Sequence, residues 1–447
     1  MRLPLPEIAL ALLSAAGFAA TGELLLRRLS RGLIAWNESF LVGAGASAAA
    51  LFPLSLALPH GALRATLVVL GGSLAVAVAR RLRSRTTTSE SKAPARWDPI
   101  TRLLLAASAL AALGFAALNF RYTYIWDGFQ IWASKAQLLA ARGSLQPEWF
   151  LGENFDRRLA AYPPLVPLFE ALLGTLRGFD FDRLKPVFLL FHLSLLVSAF
   201  AAVKARAHGT RLAGVAVLMV ALLPFLSTRT AAGGFADMPQ AAFVAGTVSA
   251  ALRPEGSRAL PWLIGSLTMV KSEGTLLALV AAAAVGLCWL TEKQPKLPGR
   301  PLARAEGIAV VAAFLALRLA YVRWVNFPDT VYAADAAHVP QALARIPEVG
   351  RLCLKAMFDP LEWGLLWPAF FAGGWVLLRR GAAEERWMVV ATAGAMLLYT
   401  TIFLFTNWPL ELHIQQSWNR LLSHIAPAAV VAAVLGYARL DRRLAAP

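Results

Sequence analysis

Runs of residues with scarcely a charge, from "IALALLSAAGFAA" near the N-terminus to "HIAPAAVVAAVLGYARL" near the C-terminus, constrain this chain more than anything else in it. A bilayer core about 30 Å thick is crossed by a helix of about 20 apolar residues. Thirteen stretches could serve as spans, at 7–26, 33–59, 62–79, 101–119, 185–203, 211–228, 238–252, 260–272, 274–291, 305–325, 362–378, 387–406 and 421–438, of which 238–252 and 260–272 are short. The fold class that follows is all-α and polytopic, a membrane protein of about thirteen helices. Isolated polar residues inside the spans, such as Glu23, Glu38 and Arg318, read as helix-packing contacts or interfacial anchors.

The chain carries a net charge of +17, a balance that in a water-soluble protein would suggest a nucleic-acid partner. Its distribution excludes that reading. Arg27, Arg28 and Arg31 follow the first span, and Arg80, Arg81, Arg83, Arg85, Lys92 and Arg96 follow the third. Lys204 and Arg206, Arg253 and Arg258, Lys293 to Arg304, Arg379 to Arg386, and Arg439 to Arg443 then fill every second connection. Such alternation obeys the positive-inside rule, and it reports orientation and contact with anionic lipids. It places the C-terminus in the cytoplasm and the N-terminus outside, with 120–184 and 326–361 facing outward. The first span is read as a retained helix, since basic residues follow it as well as precede it. Three front helices (1–82), a cytoplasmic linker (83–100) and a core (101–440) are the expected divisions. Two cysteines, Cys288 and Cys353, make no disulfide framework.

The outward segment 120–184 is longer than a connection needs, and long ordered loops are usually functional. It opens with "YTYIWDGFQIWASKAQLLAARG" (122–143), in which Asp127 stands among aromatic residues. Ile125, Phe129, Trp132, Ala136 and Leu139 recur at helical spacing and Gly143 ends the pattern, which predicts an amphipathic helix in the membrane interface with its tryptophans at headgroup depth. Asp127 has a local explanation: with Gln130 three residues on, it fits an N-cap. Further polar residues fall at predicted outer helix ends. "YPPL" (Tyr162, Pro163, Pro164, Leu165) starts a second apolar helix with proline in its first turn. "GGFADMP" brings Asp237, "VKSEG" brings Lys271 and Glu273, and "ELHIQQSWNRLLSHIAP" brings His413, Arg420 and His424. Each has a bland counterpart: Asp237 as a cap, Lys271 as a snorkelling anchor, Arg420 as a headgroup contact. Their common predicted side makes a shared site the better account.

The order of these motifs, an acidic residue in an aromatic-rich first outer loop, then "YPPL", "ADMP" and "VKSEG", resembles the GT-C glycosyltransferases of the protein O-mannosyltransferase and aminoarabinose transferase kind. The resemblance covers roughly 100–440. Two departures, Gly128 after Asp127 and Tyr162 before the prolines, point away from protein mannosylation. What the resemblance implies is transfer of a sugar from a polyprenyl-phosphate donor to a glycan, lipid or protein acceptor at the outer face of the cytoplasmic membrane.

Physical chemistry fits that expectation. Cleavage between the anomeric carbon and phosphate builds positive charge on the sugar and negative charge on the leaving group. Asp127 is the expected catalytic base, with Asp237 a second catalytic or positioning carboxylate. Lys271, Arg420 and His424 are the expected phosphate ligands, aided by the N-terminus of the span that Asp237 opens. Trp126, Tyr162, Pro163, Pro164 and Glu273 would line the substrate groove, and the helices around "YPPLVPLFEALL" would bed the isoprenoid tail. No spacing of histidines and carboxylates marks a metal site, so no cofactor is assigned and a divalent metal is left open. The competing class is a transporter or flippase of a lipid-linked saccharide, whose substrate site would lie near the bilayer midplane.

Overall fold

The computed structural model of the chain describes residues 5–30, 32–84, 97–146, 158–207, 209–226, 233–253, 257–291, 301–325 and 336–441. Most of the expected linker at 83–100 lies outside them. Nine of the described helices are long and apolar enough to cross a membrane. They are α1 (Leu5–Leu25), α2 (Leu33–Ala57), α3 (Ala62–Ser84), α4 (Pro99–Arg121), α8 (Pro186–Lys204), α12 (Gly274–Thr291), α13 (Pro301–Val325), α17 (Ala383–Ile402) and α18 (Leu410–Leu440).

Of the other four expected spans, three are shorter than the sequence suggests, while the one at 238–252 keeps its length. They appear as α9 (Arg211–Ala221), α10 (Asp237–Ala251), α11 (Ala259–Leu267) and α16 (Leu366–Arg380). The nine residues of α11 rise only about 14 Å at 1.5 Å per residue. Hydropathy counts apolar residues without revealing where the helical ladder stops, and irregular backbone is tolerated at membrane depth when protein encloses it. The turn between α11 and α12 is enclosed in this way, with Val270 fully buried and Lys271 only 4% exposed.

Helices α8, α10 and α18 form the buried axis, packed on one another, while α4 and α9 close one flank and α16 and α17 another. The front helices belong to the same bundle: α1 and α2 pack on α8, and α2 packs on α11. Small residues allow the closest approach. A Cβ on Gly43 would sit 1.8 Å from the Phe18 carbonyl oxygen, and one on Gly22 would sit 1.9 Å from that of Ser39, so α1 and α2 touch backbone to backbone. The lone acidic residues read as packing contacts are indeed paired: Glu23 with Arg81, and Glu38 with Arg28 and Arg253.

The remaining helices cap the end of the bundle that carries the expected site. They are α5 (Ser134–Arg142), α6 (Arg158–Ala161), α7 (Leu165–Arg177), α14 (Val339–Met357) and α15 (Pro360–Trp363). The predicted amphipathic helix is there and ends at Gly143 in the left-handed conformation, but Gly128–Ala133 forms a π-helical turn ahead of α5. That wider turn shifts the register of the apolar face. Trp132, Ala136 and Leu139 are fully buried while Ile125 and Phe129 stay exposed, so Trp132 is a core residue and not a headgroup anchor. An apolar helix follows "YPPL" as expected, but it starts at Leu165 with Pro163 and Pro164 ahead of it, and the two prolines and almost all of α7 are buried against α5 and the front helices. Pro163 and Pro164 therefore sit in a packing joint, while Tyr162 stays half-buried beside them.

Candidate active site

Five charged side chains from four parts of the chain meet at one end of the bundle. The loop after α4 delivers the first of them. Trp126 has a φ of 36°, a left-handed conformation that bulky residues rarely adopt, and its indole is 76% exposed. Next in the chain, Asp127 makes no side-chain capping hydrogen bond. Its Oδ2 instead accepts from Arg420 Nη1 on α18 at 2.6 Å, so the N-cap alternative fails and a long-range ion pair replaces it. The surroundings of Gly128 require a glycine. A Cβ there would lie 1.9 Å from the Gly233 carbonyl oxygen, the same oxygen that accepts from the Ile125 N–H at 3.3 Å. The aspartate loop thus docks on the glycine pair that leads into α10, at a spacing that admits no side chain.

Asp237 is the hub. It is the first residue of α10, where the positive end of the helix favours a carboxylate, and it is fully buried. Its Oδ1 accepts from Lys271 Nζ at 2.8 Å and lies 2.8 Å from His424 Nε2. Its Oδ2 accepts from Arg420 Nε at 3.3 Å. Lys271 also reaches Glu273 Oε1 at 3.3 Å, and the Arg420 guanidinium lies 4.5 Å from the centre of the Phe235 ring. The bland alternative, Asp237 as a helix cap, fails: Ala236 holds the cap position and no side-chain cap forms.

Exposure divides these groups by role. Asp127 and Arg420 reach solvent, at 32% and 20% of their side chains, whereas Lys271 is 4% exposed and Asp237 and His424 are closed off. The sequence puts Lys271 at an outer helix end, where it could snorkel; the short α11 draws it inside the bundle. His424 was expected on phosphate. The structure instead engages both ring nitrogens, Nε2 with Asp237 and Nδ1 with the Tyr399 hydroxyl at 3.2 Å, which suits a residue that orients Asp237. His413 stands apart, 2.6 Å from the Thr406 hydroxyl. Among the described residues, no group of three or more His, Cys, Asp or Glu side chains is placed to hold a metal ion.

A second polar layer lies beneath "YPPL". Lys135 of α5 donates to the carbonyls of Ala160, at 2.9 Å, and Tyr162, and to the Tyr321 hydroxyl at 2.8 Å. Arg318 of α13 donates to the Ala161 carbonyl at 2.7 Å and to Ser272 Oγ at 3.3 Å. Burial, reinforced by Arg318, holds the Lys135 ammonium well below the usual lysine value. These contacts tie α6 and the turn before α7 to the "VKSEG" turn, so Arg318 is a packing contact, as expected. Sequence reasoning missed Lys135, Phe235 and Tyr399 in this architecture. The available signal for Tyr399 was the hydroxyl cluster of Tyr399, Thr400 and Thr401 in the apolar run "MLLYTTIF".

No family model matches the chain, and no curated protein matches it in sequence. Among solved structures it is similar to ArnT from Cupriavidus metallidurans, crystallised with undecaprenyl phosphate, at a TM-score of 0.50 and 15% identity over 76% of this chain. The chain spans 60% of the length of that structure. The likeness is one of fold: this chain shares the helical architecture of that structure, and nine of its described helices are long and apolar enough to cross a membrane.

Proposed function

We propose that this protein transfers a sugar from a polyprenyl-phosphate donor to an acceptor hydroxyl at the outer face of the cytoplasmic membrane, with inversion at the anomeric carbon. The observation that carries the proposal is the pairing of a partly exposed carboxylate, Asp127, with a partly exposed guanidinium, Arg420, 293 residues away, above a buried carboxylate that holds Lys271. The bound lipid of ArnT, a polyprenyl phosphate, is of the donor class proposed here.

In this reading the acceptor oxygen attacks the anomeric carbon and its proton passes to Asp127. The bond from the anomeric carbon to the phosphate oxygen breaks, and the phosphate departs with the electron pair. Arg420 is placed to meet that charge. Two of its nitrogens hold Asp127 and Asp237, while Nη2 makes no hydrogen bond among the described residues. Lys271, held by Asp237, adds a second positive charge behind it. Asp237, His424 and Tyr399 are positioning residues: they fix the cations and do not meet the substrate. A transporter would carry such charges at midplane on broken helices, whereas Asp127 and Phe235 reach this cluster from connections between helices.

Asp127→Asn tests the proposal. It preserves the side-chain shape but removes the basic oxygen, so transfer of label from a radiolabelled polyprenyl-phosphate sugar should fall by about 100-fold or more, the range for loss of a general base. Unchanged transfer by a well-folded variant would remove Asp127 from the chemistry.

A further inference from the structure

At the opposite end of the bundle, α11, α12 and α13 and the end of α1 enclose a cavity of about 390 Å³. Its walls are apolar along most of their length, through residues such as Leu260, Ile264, Val285 and Val311, and among the described residues its rim carries Arg27, Arg258 and Arg304 with a single acid, Glu306. The neighbouring arginines at this end are neutralised: Arg28 and Arg253 pair with Glu38, and Arg81 pairs with Glu23. The three on the rim have no carboxylate partner among the described residues. Two buried donors there, Arg304 Nε and Trp289 Nε1, have no acceptor in the described structure, although the guanidinium lies 5.7 Å from the centre of the Trp289 ring. A buried N–H without an acceptor is destabilising, and an anion at the rim would satisfy both.

We infer that this cavity is a binding site for an anionic phospholipid of the cytoplasmic leaflet, with its phosphate among Arg27, Arg258 and Arg304 and its acyl chains along α11 and α13. The chemistry is that of a long apolar body ending in a phosphate at headgroup depth, which basic pockets between membrane helices recognise. A diacyl phospholipid is favoured over the polyprenyl-phosphate donor. The rim stands at the basic, cytoplasmic ends of α11, α12 and α13, and the cluster around Asp127 lies at the other end of the bundle. The volume is within the range of about 300–1,000 Å³ usual for ligand sites. Helix α11 joins this cavity to the turn that carries Lys271, so an occupied cavity would brace the helix on which that cation depends.

Native mass spectrometry of the full chain in detergent, with phosphatidylglycerol, phosphatidylcholine or undecaprenyl phosphate added, tests this inference. At about fivefold per net positive charge, a rim with three arginines and one glutamate should favour phosphatidylglycerol over phosphatidylcholine by roughly 25-fold. The triple variant Arg27→Gln, Arg258→Gln, Arg304→Gln should lose that preference. A charge-matched control, Arg80→Gln, Arg380→Gln, Arg386→Gln, alters exposed arginines that do not line the cavity and should keep it. Equal loss in both variants, equal binding of the two phospholipids, or tighter retention of undecaprenyl phosphate would each overturn the assignment. Transfer activity is not read, so the result stands apart from that of Asp127→Asn. Should the triple variant fail to fold, Arg258→Gln alone should lower the preference about fivefold, and no change would count against the site.

Discussion

The hub at Asp237 makes a quantitative prediction about stability that separates a buried ion pair from a chance contact. Asp237→Asn keeps the shape of the side chain and removes its charge. Lys271, 4% exposed, would then retain only Glu273, a carboxylate 3.3 Å away and 24% exposed. Leaving one charge of a buried pair uncompensated costs about 3–5 kcal/mol, and the residual Glu273 contact puts the expected loss near the lower end of that range. Lys271→Met should cost less, about 1–2 kcal/mol, because Asp237 keeps Arg420 at 3.3 Å and His424 at 2.8 Å and the apolar stem replaces the lysine methylenes. Once the aspartate is neutral, removing the ammonium also removes the uncompensated charge. The double variant should therefore be no less stable than Asp237→Asn alone, with a coupling energy of about 1–3 kcal/mol. Reversible unfolding in mixed micelles of dodecyl sulfate, followed by fluorescence of the 14 tryptophans, would measure the cycle. Additivity within about 0.5 kcal/mol would refute the coupling and, with it, the role of Asp237 as the anchor of Lys271.

Three further outcomes follow from other parts of the structure. Gly128→Ala should reduce transfer by tenfold or more while leaving helix content by circular dichroism intact, since a Cβ would meet the Gly233 carbonyl oxygen at 1.9 Å and push the Asp127 loop off α10; normal transfer would mean that the loop need not dock. Glu170 is buried, which pushes its carboxyl from 4.5 up to about 8 against an opposing hydrogen bond from Tyr124. A carboxyl whose folded value is raised contributes stability that is fully present below about pH 4.5 and is lost as pH rises towards 8. Glu170→Gln should flatten that decline and be the more stable protein at pH 8, and an unchanged pH profile of unfolding would argue against a protonated Glu170. For orientation, an impermeant thiol reagent applied to intact cells should label Ala141→Cys and spare Arg380→Cys, both at exposed positions; the reverse pattern would invert the topology and detach the site from the outer face.

The sequence alone determined the class of the molecule, because burial in a bilayer and the sign of loop charges are written locally, in runs of apolar residues and in the arginines between them. It also singled out Asp127, Asp237, Lys271, Glu273, Arg420 and His424, since ionisable residues at the ends of apolar helices stand out against their surroundings. It did not decide what each one touches. Asp127 beside Gln130 reads equally well as a cap, and only the approach of α18 from 293 positions away turns it into the partner of Arg420. Nor does an apolar run disclose where its helix stops. The end of α11 after nine residues draws Lys271 inward from the surface, where a snorkelling lysine would have been read. By sequence Trp132 suits the interface and Pro163 and Pro164 a groove, but all three are buried in packing, because a π-helical turn re-registers one face and because burial depends on neighbours that no local pattern names. Tyr399 acquired its place behind His424 only when α17 came to rest against α18. Hydropathy and charge act through the solvent that each residue meets on its own, whereas a site is a set of distances between residues far apart in the chain, and packing alone sets those.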